Sequence, residues 1–387
     1  MSEAAERVAR GLADLERREL RRTRRVIDSP QGAQVRIDGR ALRNFSSNDY
    51  LGLANDRRLC EAAHHAIAEY GVGTGASALV SGHQRLHQRA EERFAAFTGL
   101  PRAMLFGNGY LANLGILTAL ADREAHIFSD ELNHACLIDG ARLARSQVSV
   151  YPHADVGALA EGLAASRAPV RIVATDAVFS MDGDVAPLPQ LLELCERYDA
   201  WLVIDDAHGI GVLGARGRGS LEHFGLGSPR IVLMATLGKA LGGYGAFVAG
   251  DANVIEWMVQ RARTYIYSTA LPPAEAAVAV RAMELVDEDP SLLARLRSRV
   301  AQLQRGLLAR GFRGATTGTA IQPIILGSAG VAVDVSALLA QLGFFVPAIR
   351  PPTVPDGTSR LRISVSAAHE ASDVEALLSA LSSHLPA

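Results

Sequence analysis

Cysteine is scarce in this chain of 387 residues, with only Cys60, Cys136 and Cys195 present. Few, distant and odd in number, they exclude a disulfide framework and a cysteine-rich zinc site, and they fit a reducing compartment. No apolar run approaches the roughly 18 residues of a membrane-spanning helix, and the first residues lack the apolar core of a secretory signal. The arginine-rich start is too acidic for a transit peptide, given Glu3, Glu6, Asp14, Glu16 and Glu19. A cytoplasmic location is therefore expected. Net charge is also nearly absent at −2, which removes any global case for nucleic acid or anionic membrane and points to small-molecule partners. Hydrophobic residues at 49% and charged residues at 21% make an ordinary globular mix. The length allows about two to three domains and a large core.

Against that background, the stretch from Trp201 to Gly245 stands out. Trp201 to Ile204 and Ile231 to Met234 are continuous apolar runs of strand length, as expected for parallel strands buried on both faces. Asp205, His208 and Lys239 follow them. In open α/β sheets ligands bind outside the carboxyl ends of the strands, so a carboxylate, an imidazole and an amine can converge there. Taken singly, Asp205 and Asp206 read as a strand-end turn or cap and Lys239 as solvated surface. Lys239 is not a P-loop lysine, because Ala240 stands where that motif needs Ser or Thr. Taken together, an amine that can condense with a carbonyl and an acid that can keep a pyridine nitrogen protonated are what pyridoxal 5'-phosphate requires.

A rival reading starts at RAMLFGNGYLANLGILTAL. An apolar strand runs into Gly107 and Gly109 and then into a helix whose N-terminus can hold an anion. Gly107, Gly109 and Ala112 fit a dinucleotide fingerprint, and Asp130 stands where a ribose-binding acid would. A nicotinamide dehydrogenase would leave IDDAHG and TLGKALGG without employment, whereas a pyridoxal phosphate enzyme uses all three segments.

The runs IDDAHGIGVLG and TLGKALGG resemble the α-oxoamine synthase family of fold-type I pyridoxal phosphate enzymes. The resemblance implies an α/β fold: a large domain whose mostly parallel seven-stranded sheet is sandwiched by helices, with a smaller α+β C-terminal domain. It implies that Lys239 carries the cofactor, that Asp205 binds the pyridine nitrogen and that His208 contacts the ring hydroxyl, with Thr236 also at the cofactor. SNDYLGL matches residue for residue, and its Asn48 would donate to a substrate carboxylate. The backbone amides of Gly109 and Tyr110 would take the phosphate. NHA would lay the His134 imidazole against the cofactor ring, and VFSMDGD would bring Ser180 to the ring hydroxyl. Asp176 stands where relatives carry glutamate.

Ser268 and Thr269 of IYSTALPP, Thr269 first, would reach the phosphate in a neighbouring subunit, implying a homodimer with shared sites. AIRPPTVP and RLR match the family's biotin-pathway branch, in which Arg362 would clamp an amino acid carboxylate and Arg350 would face the acyl chain. In that branch an arginine near position 22 meets the acyl substrate: Arg22 by counting back from the next motif, with Arg21 the alternative. The implied activity is condensation of L-alanine with a pimeloyl thioester, carried on acyl carrier protein or coenzyme A, with loss of carbon dioxide. A sister synthase using glycine or serine is the alternative.

The remaining features are structural on their face. Val8, Leu12, Leu15 and Leu20 fall on one side of a helix expected to dock on the body of the protein, ended by the cluster Arg21 to Arg25. VRIDG reads as a hairpin. His83 and His87 lie four apart without a third ligand, so no metal site is expected. A long amphipathic helix begins near Pro290, and IQPIIL, LRISVS and DVEALLSALSSHL form an α+β unit. The expected division is an N-terminal segment 1–45, a large domain 46–286 and a C-terminal domain 287–387.

Overall fold

The computed structural model describes residues 2–312 and 318–384. Two compact units are present, one of Met1–Ser47 with Arg297–Ala387 and one of Asn48–Leu296. The chain starts in the first unit with a helix, Glu3–Arg17, capped by the Ser2 hydroxyl. Its apolar stripe does not dock as expected: Val8, Leu12 and Leu15 are exposed by 64%, 48% and 38%. The arginine cluster also lies outside it, because the helix ends at Arg17 and the segment beyond is irregular. The hairpin forms between β1 (Gln34–Ile37) and β2 (Arg40–Asn44). Asp38 and Gly39 turn it with φ of 50° and 75°, the left-handed pair that matches strand twist.

The second unit is built on seven strands: β3 (Arg102–Phe106), β4 (Ala125–Asp130), β5 (Gln147–Tyr151), β6 (Val170–Asp176), β7 (Ala200–Asp205), β8 (Ile231–Thr236) and β9 (Ala246–Gly250). Their order is β3-β9-β8-β7-β6-β4-β5. Only β9 runs against the rest, pairing antiparallel with both β3 and β8. The strands are apolar because helices cover both faces: Leu202, Val203, Ile204, Val232 and Leu233 are wholly buried. One consequence positions everything below. The carboxyl ends of β3, β4, β6, β7 and β8 all open on one edge, with Asp176 directly opposite Asp205 and Asp205 opposite Met234.

The first unit resumes with β10 (Ile321–Gly327), β11 (Phe344–Phe345), β12 (Ala348–Ile349) and β13 (Ser359–Ser364), closed by the helix Ala371–His384. β11 lies parallel beside β2, and β13 sits between β10 and β12. His369 is buried here, stacked on Phe45 with ring centroids 4.2 Å apart, and its Nδ1 accepts the Ser366 N–H at 3.0 Å. Burial pushes this imidazole down to about 4 from an ordinary 6.5.

A base whose folded value is depressed contributes stability in full above its unfolded value and loses it as pH falls toward the folded one. Between pH 6.5 and about 4 the His369 contribution is therefore lost, amounting to about 3 kcal/mol. Thermal unfolding of His369→Phe, which keeps the stack, should show a shallower decline over that range than the parent chain. Parallel declines would overturn this account.

Candidate active site

The site is assembled at the shared strand edge of the second unit. Asp205 ends β7 almost fully buried, 4% exposed. Its Oδ2 accepts from the Asn113 side-chain amide at 2.7 Å and lies 3.8 Å from the Cys136 thiol, and its Oδ1 accepts the Ala207 N–H at 2.9 Å. These donors are all neutral. Asn113 reaches Asp205 because it is the polar residue on the buried face of the apolar helix Gly109–Leu120, which follows β3. Asp206, by contrast, turns away and does the capping work expected of a strand-end acid. Its Oδ2 accepts the Ser220 N–H at 2.8 Å, and burial pushes its carboxyl up to about 7.

Lys239 sits on a loop pinned at its base. Leu237 N–H donates to the Gly245 carbonyl at 2.9 Å, Gly243 N–H to Leu237 at 2.9 Å, and the Thr236 hydroxyl to Gly245 at 3.1 Å. Two glycines fix where this loop leans. A Cβ on Gly242 (φ +67°) would come 2.5 Å from the Leu53 carbonyl carbon, and one on Gly211 (φ +78°) would come 2.5 Å from the Ala240 Cβ. Only residues without a side chain allow these approaches. They bring three segments together: Lys239 Nζ is 2.7 Å from His208 Nε2, and His208 Nδ1 is 2.7 Å from the Tyr50 hydroxyl of the SNDYLGL loop, which in turn donates to Asn48 Oδ1 at 3.1 Å.

His134 caps the helix Ala135–Leu143, with Nδ1 2.8 Å from the Cys136 sulfur. Its backbone N–H donates to Asp176 Oδ2 at 2.6 Å. Desolvation lowers the His134 imidazole below its usual range, outweighing the upward pull of Asp205, and Lys239 lowers it further. Asp176 is raised well above the usual carboxylate range, chiefly by burial and next by Asp205, with Lys239 opposing. Asp205 and Lys239 thus act on the same two neighbours, so the acid and the amine share one site.

The helix end expected to meet a phosphate is equally defined. Asn108 caps the helix at Gly109, accepting from Leu111 N–H at 2.9 Å. A Cβ on Gly109 would stand 3.4 Å from the Met234 sulfur and 4.0 Å from the Thr236 Cβ, so the helix N-terminus and Thr236 border one space. The Tyr110 side chain is exposed and bonded to Asp139. Asp130, the dehydrogenase candidate, is committed elsewhere: it accepts from Leu132 and Ala154 N–H groups at 2.8 Å each and pairs with His153 at 3.0 Å.

Ser180 lies at the tip of a hairpin closed by Phe179 N–H to Asp184 at 3.0 Å and Gly183 N–H to Phe179 at 2.8 Å. His153 clamps that hairpin, bridging Asp130 and Asp184 Oδ2 (2.7 Å) while Phe179 meets its ring edge-on. Thr269 is exposed, and the segment around it is tied to the glycine-rich stretch: Ala270 N–H donates to Ala76, the Thr74 hydroxyl to Ala270, and His87 Nε2 to Leu271 at 2.6 Å. His83 pairs with Glu91 at 3.1 Å, so the two histidines have separate structural tasks.

The remaining expected residues belong to the first unit. Arg362 is buried on β13, donating to the Ser364 hydroxyl at 2.8 Å. Arg21, Arg22 and Arg350 line one cavity of about 520 Å³, walled by Ile27, Phe345 and Ile349. Arg21 is paired with Glu16 at 2.9 Å, and Arg350 donates to the Glu19 carbonyl. Motif reasoning missed Asn113, Cys136 and Tyr50. A polar residue inside the apolar helix LANLGIL was the available signal for Asn113, since a buried amide needs a partner.

The family model for aminotransferase class I and II matches residues 41–381. An 8-amino-7-oxononanoate synthase of Methylococcus capsulatus is 51% identical over 379 residues, covering 98% of each chain. One of Bordetella petrii is 54% identical over 376 residues, covering 96% of this chain and 95% of the relative. Among solved structures, a serine palmitoyltransferase from S. paucimobilis, determined with bound PLP and myriocin, superposes with a TM-score of 0.92 at 27% identity, covering 99% of this chain and 98% of the other.

The His153 clamp gives a pH-dependent expectation. Its two carboxylates raise the imidazole to about 10 from 6.5; a raised base contributes fully below the unfolded value and is lost as pH climbs through the folded one. His153→Gln should lower unfolding free energy at neutral pH by about 1–2 kcal/mol. Denaturant midpoints of the two chains should converge as pH approaches about 10, and a constant gap across that range would refute the clamp.

Proposed function

The chain belongs to the aminotransferase class I and II family and, within it, to the pyridoxal-phosphate-dependent 8-amino-7-oxononanoate synthases of biotin biosynthesis, and from that premise we propose that it joins L-alanine to a pimeloyl thioester, carried on acyl carrier protein or coenzyme A, releasing carbon dioxide. The observation that carries the reading is a buried carboxylate, Asp205, held by neutral donors at the same edge as the Lys239 amine. Such a carboxylate favours a cationic partner, and a protonated pyridine nitrogen fits. The N-terminus at Gly109 and the Thr236 hydroxyl suit its phosphate.

When bound, the cofactor supplies an electron sink for negative charge at the amino acid Cα. Lys239 would hold it, and its Nζ would take the Cα proton of the amino acid. Asp205 keeps the ring nitrogen protonated. His134 would face the ring, and His208 and Ser180 would hold the ring hydroxyl. The backbone amides of Gly109 and Tyr110 bind the phosphate, with Thr269 contributing from a second subunit. Asn48 and Arg362 orient the amino acid carboxylate, for which a guanidinium fork is apt. The cavity bordered by Arg22 and Arg350 supports their assignment to the acyl chain: its apolar walls suit methylenes, and its arginines suit an acidic end. The working enzyme is a cytoplasmic homodimer.

Lys239→Ala should abolish both turnover and borohydride fixation of the cofactor; retained activity would sink the assignment. In a screen of alanine, glycine and serine with pimeloyl thioesters, only alanine should release free thiol at a substantial rate, and preference for glycine or serine would move the chain to a sister activity. Mixed Lys239→Ala and Thr269→Ala subunits should regain up to about a quarter of parental activity, because half the dimers are mixed and each has one intact site. Mixtures no better than the separate variants would rule out shared sites.

A further inference from the structure

The roles above leave the Tyr50 hydroxyl unused, although Tyr50 is fully buried and its oxygen is within hydrogen-bond distance of both Asn48 Oδ1 and His208 Nδ1. The chain Asn48, Tyr50, His208, Lys239 has contacts of 3.1, 2.7 and 2.7 Å. With Lys239 as an ammonium, one arrangement of donors and acceptors runs the length of it. A phenol has a single proton, and here it goes to the Asn48 carbonyl oxygen. The phenol oxygen therefore faces His208 Nδ1 with a lone pair and requires an N–H there. A neutral imidazole carries only one N–H, so Nε2 presents its lone pair to Lys239 Nζ, which as an ammonium has only protons to offer.

We propose that Tyr50 is a positioning residue that, with Asn48 behind it, locks His208 in the Nδ1–H tautomer, so that His208 Nε2 can take a proton from Lys239 before that amine adds to the cofactor carbonyl. The step balances within the chain. One N–H bond breaks at Nζ, one forms at Nε2, and the electron pair left on Nζ becomes the nucleophile. The inference rests on the reading of Lys239 as the cofactor-bearing amine and adds how that amine is readied in the cofactor-free protein. A phenyl ring at position 50 would fill the same buried space but leave Nδ1 without its acceptor, freeing the imidazole to turn its N–H toward Lys239.

The test uses full-length apoprotein with isotope-labelled histidine and pyridoxal 5'-phosphate as probe. Ring-nitrogen NMR, with His208→Gln for assignment, should report a protonated Nδ1 and an unprotonated Nε2 in the parent chain; the opposite tautomer there overturns the proposal without any Tyr50 variant. In Tyr50→Phe the signal should shift toward the Nε2–H form. Covalent capture, followed by absorbance and fixed with borohydride, should slow on the order of tenfold to a hundredfold. Parental capture rates with an unaltered histidine spectrum would overturn the proposal while leaving Lys239 intact as the attachment point. A borohydride-stable adduct in Lys239→Ala would instead overturn the reading beneath it.

Discussion

Two carboxyl groups end neighbouring parallel strands side by side, Asp176 opposite Asp205, both buried. Like charges so placed cannot both be ionised cheaply. The fold resolves the conflict at Asp176, whose carboxyl is pushed well up by burial and by Asp205 and is anchored by the His134 N–H. That upward push favours the neutral form of Asp176 beside Asp205, which accepts from the neutral donors Asn113 and Ala207 and lies near the Cys136 thiol. Asp176 thus also ties the His134 backbone to the strand end.

Around that pair, the site depends on loops rather than on strands alone. The strands deliver Asp205 and Thr236, but His208, Lys239 and Tyr50 meet because three loops are pressed together at Gly211 and Gly242. Hydrogen bonds at the base of the 237–245 loop then hold the amine without burying it completely. Rigid positioning of a half-buried amine suits the covalent and proton-carrying role proposed for Lys239.

Much of this was legible in the residue string because buried parallel strands leave unbroken apolar runs, and because Asp205, His208 and Lys239 fall directly after two of them. The seven-stranded, mostly parallel sheet followed from the same runs and from the family resemblance. Other features depend on distance in space. Asn113 and Asp205 are separated by 92 positions and three strands intervene, so no local pattern links them. The pairing of β11 with β2 joins the two ends of the chain. The apolar stripe of the first helix misled in the opposite direction: periodicity signals a face that wants cover, but Val8, Leu12 and Leu15 remain exposed in the single chain.

The two glycine contacts also mark out where this catalyst can be remodelled. The backbone beside the amine has no room for a methyl at Gly211 or Gly242, whereas Gly238 meets its neighbours only at ordinary van der Waals distance and Tyr244 points outward. A library aimed at new acceptors or new amino acids therefore has two adjustable seats on this loop and two that must stay empty, and diversity spent on the latter pair would be consumed by misplacement of the lysine rather than by altered selectivity.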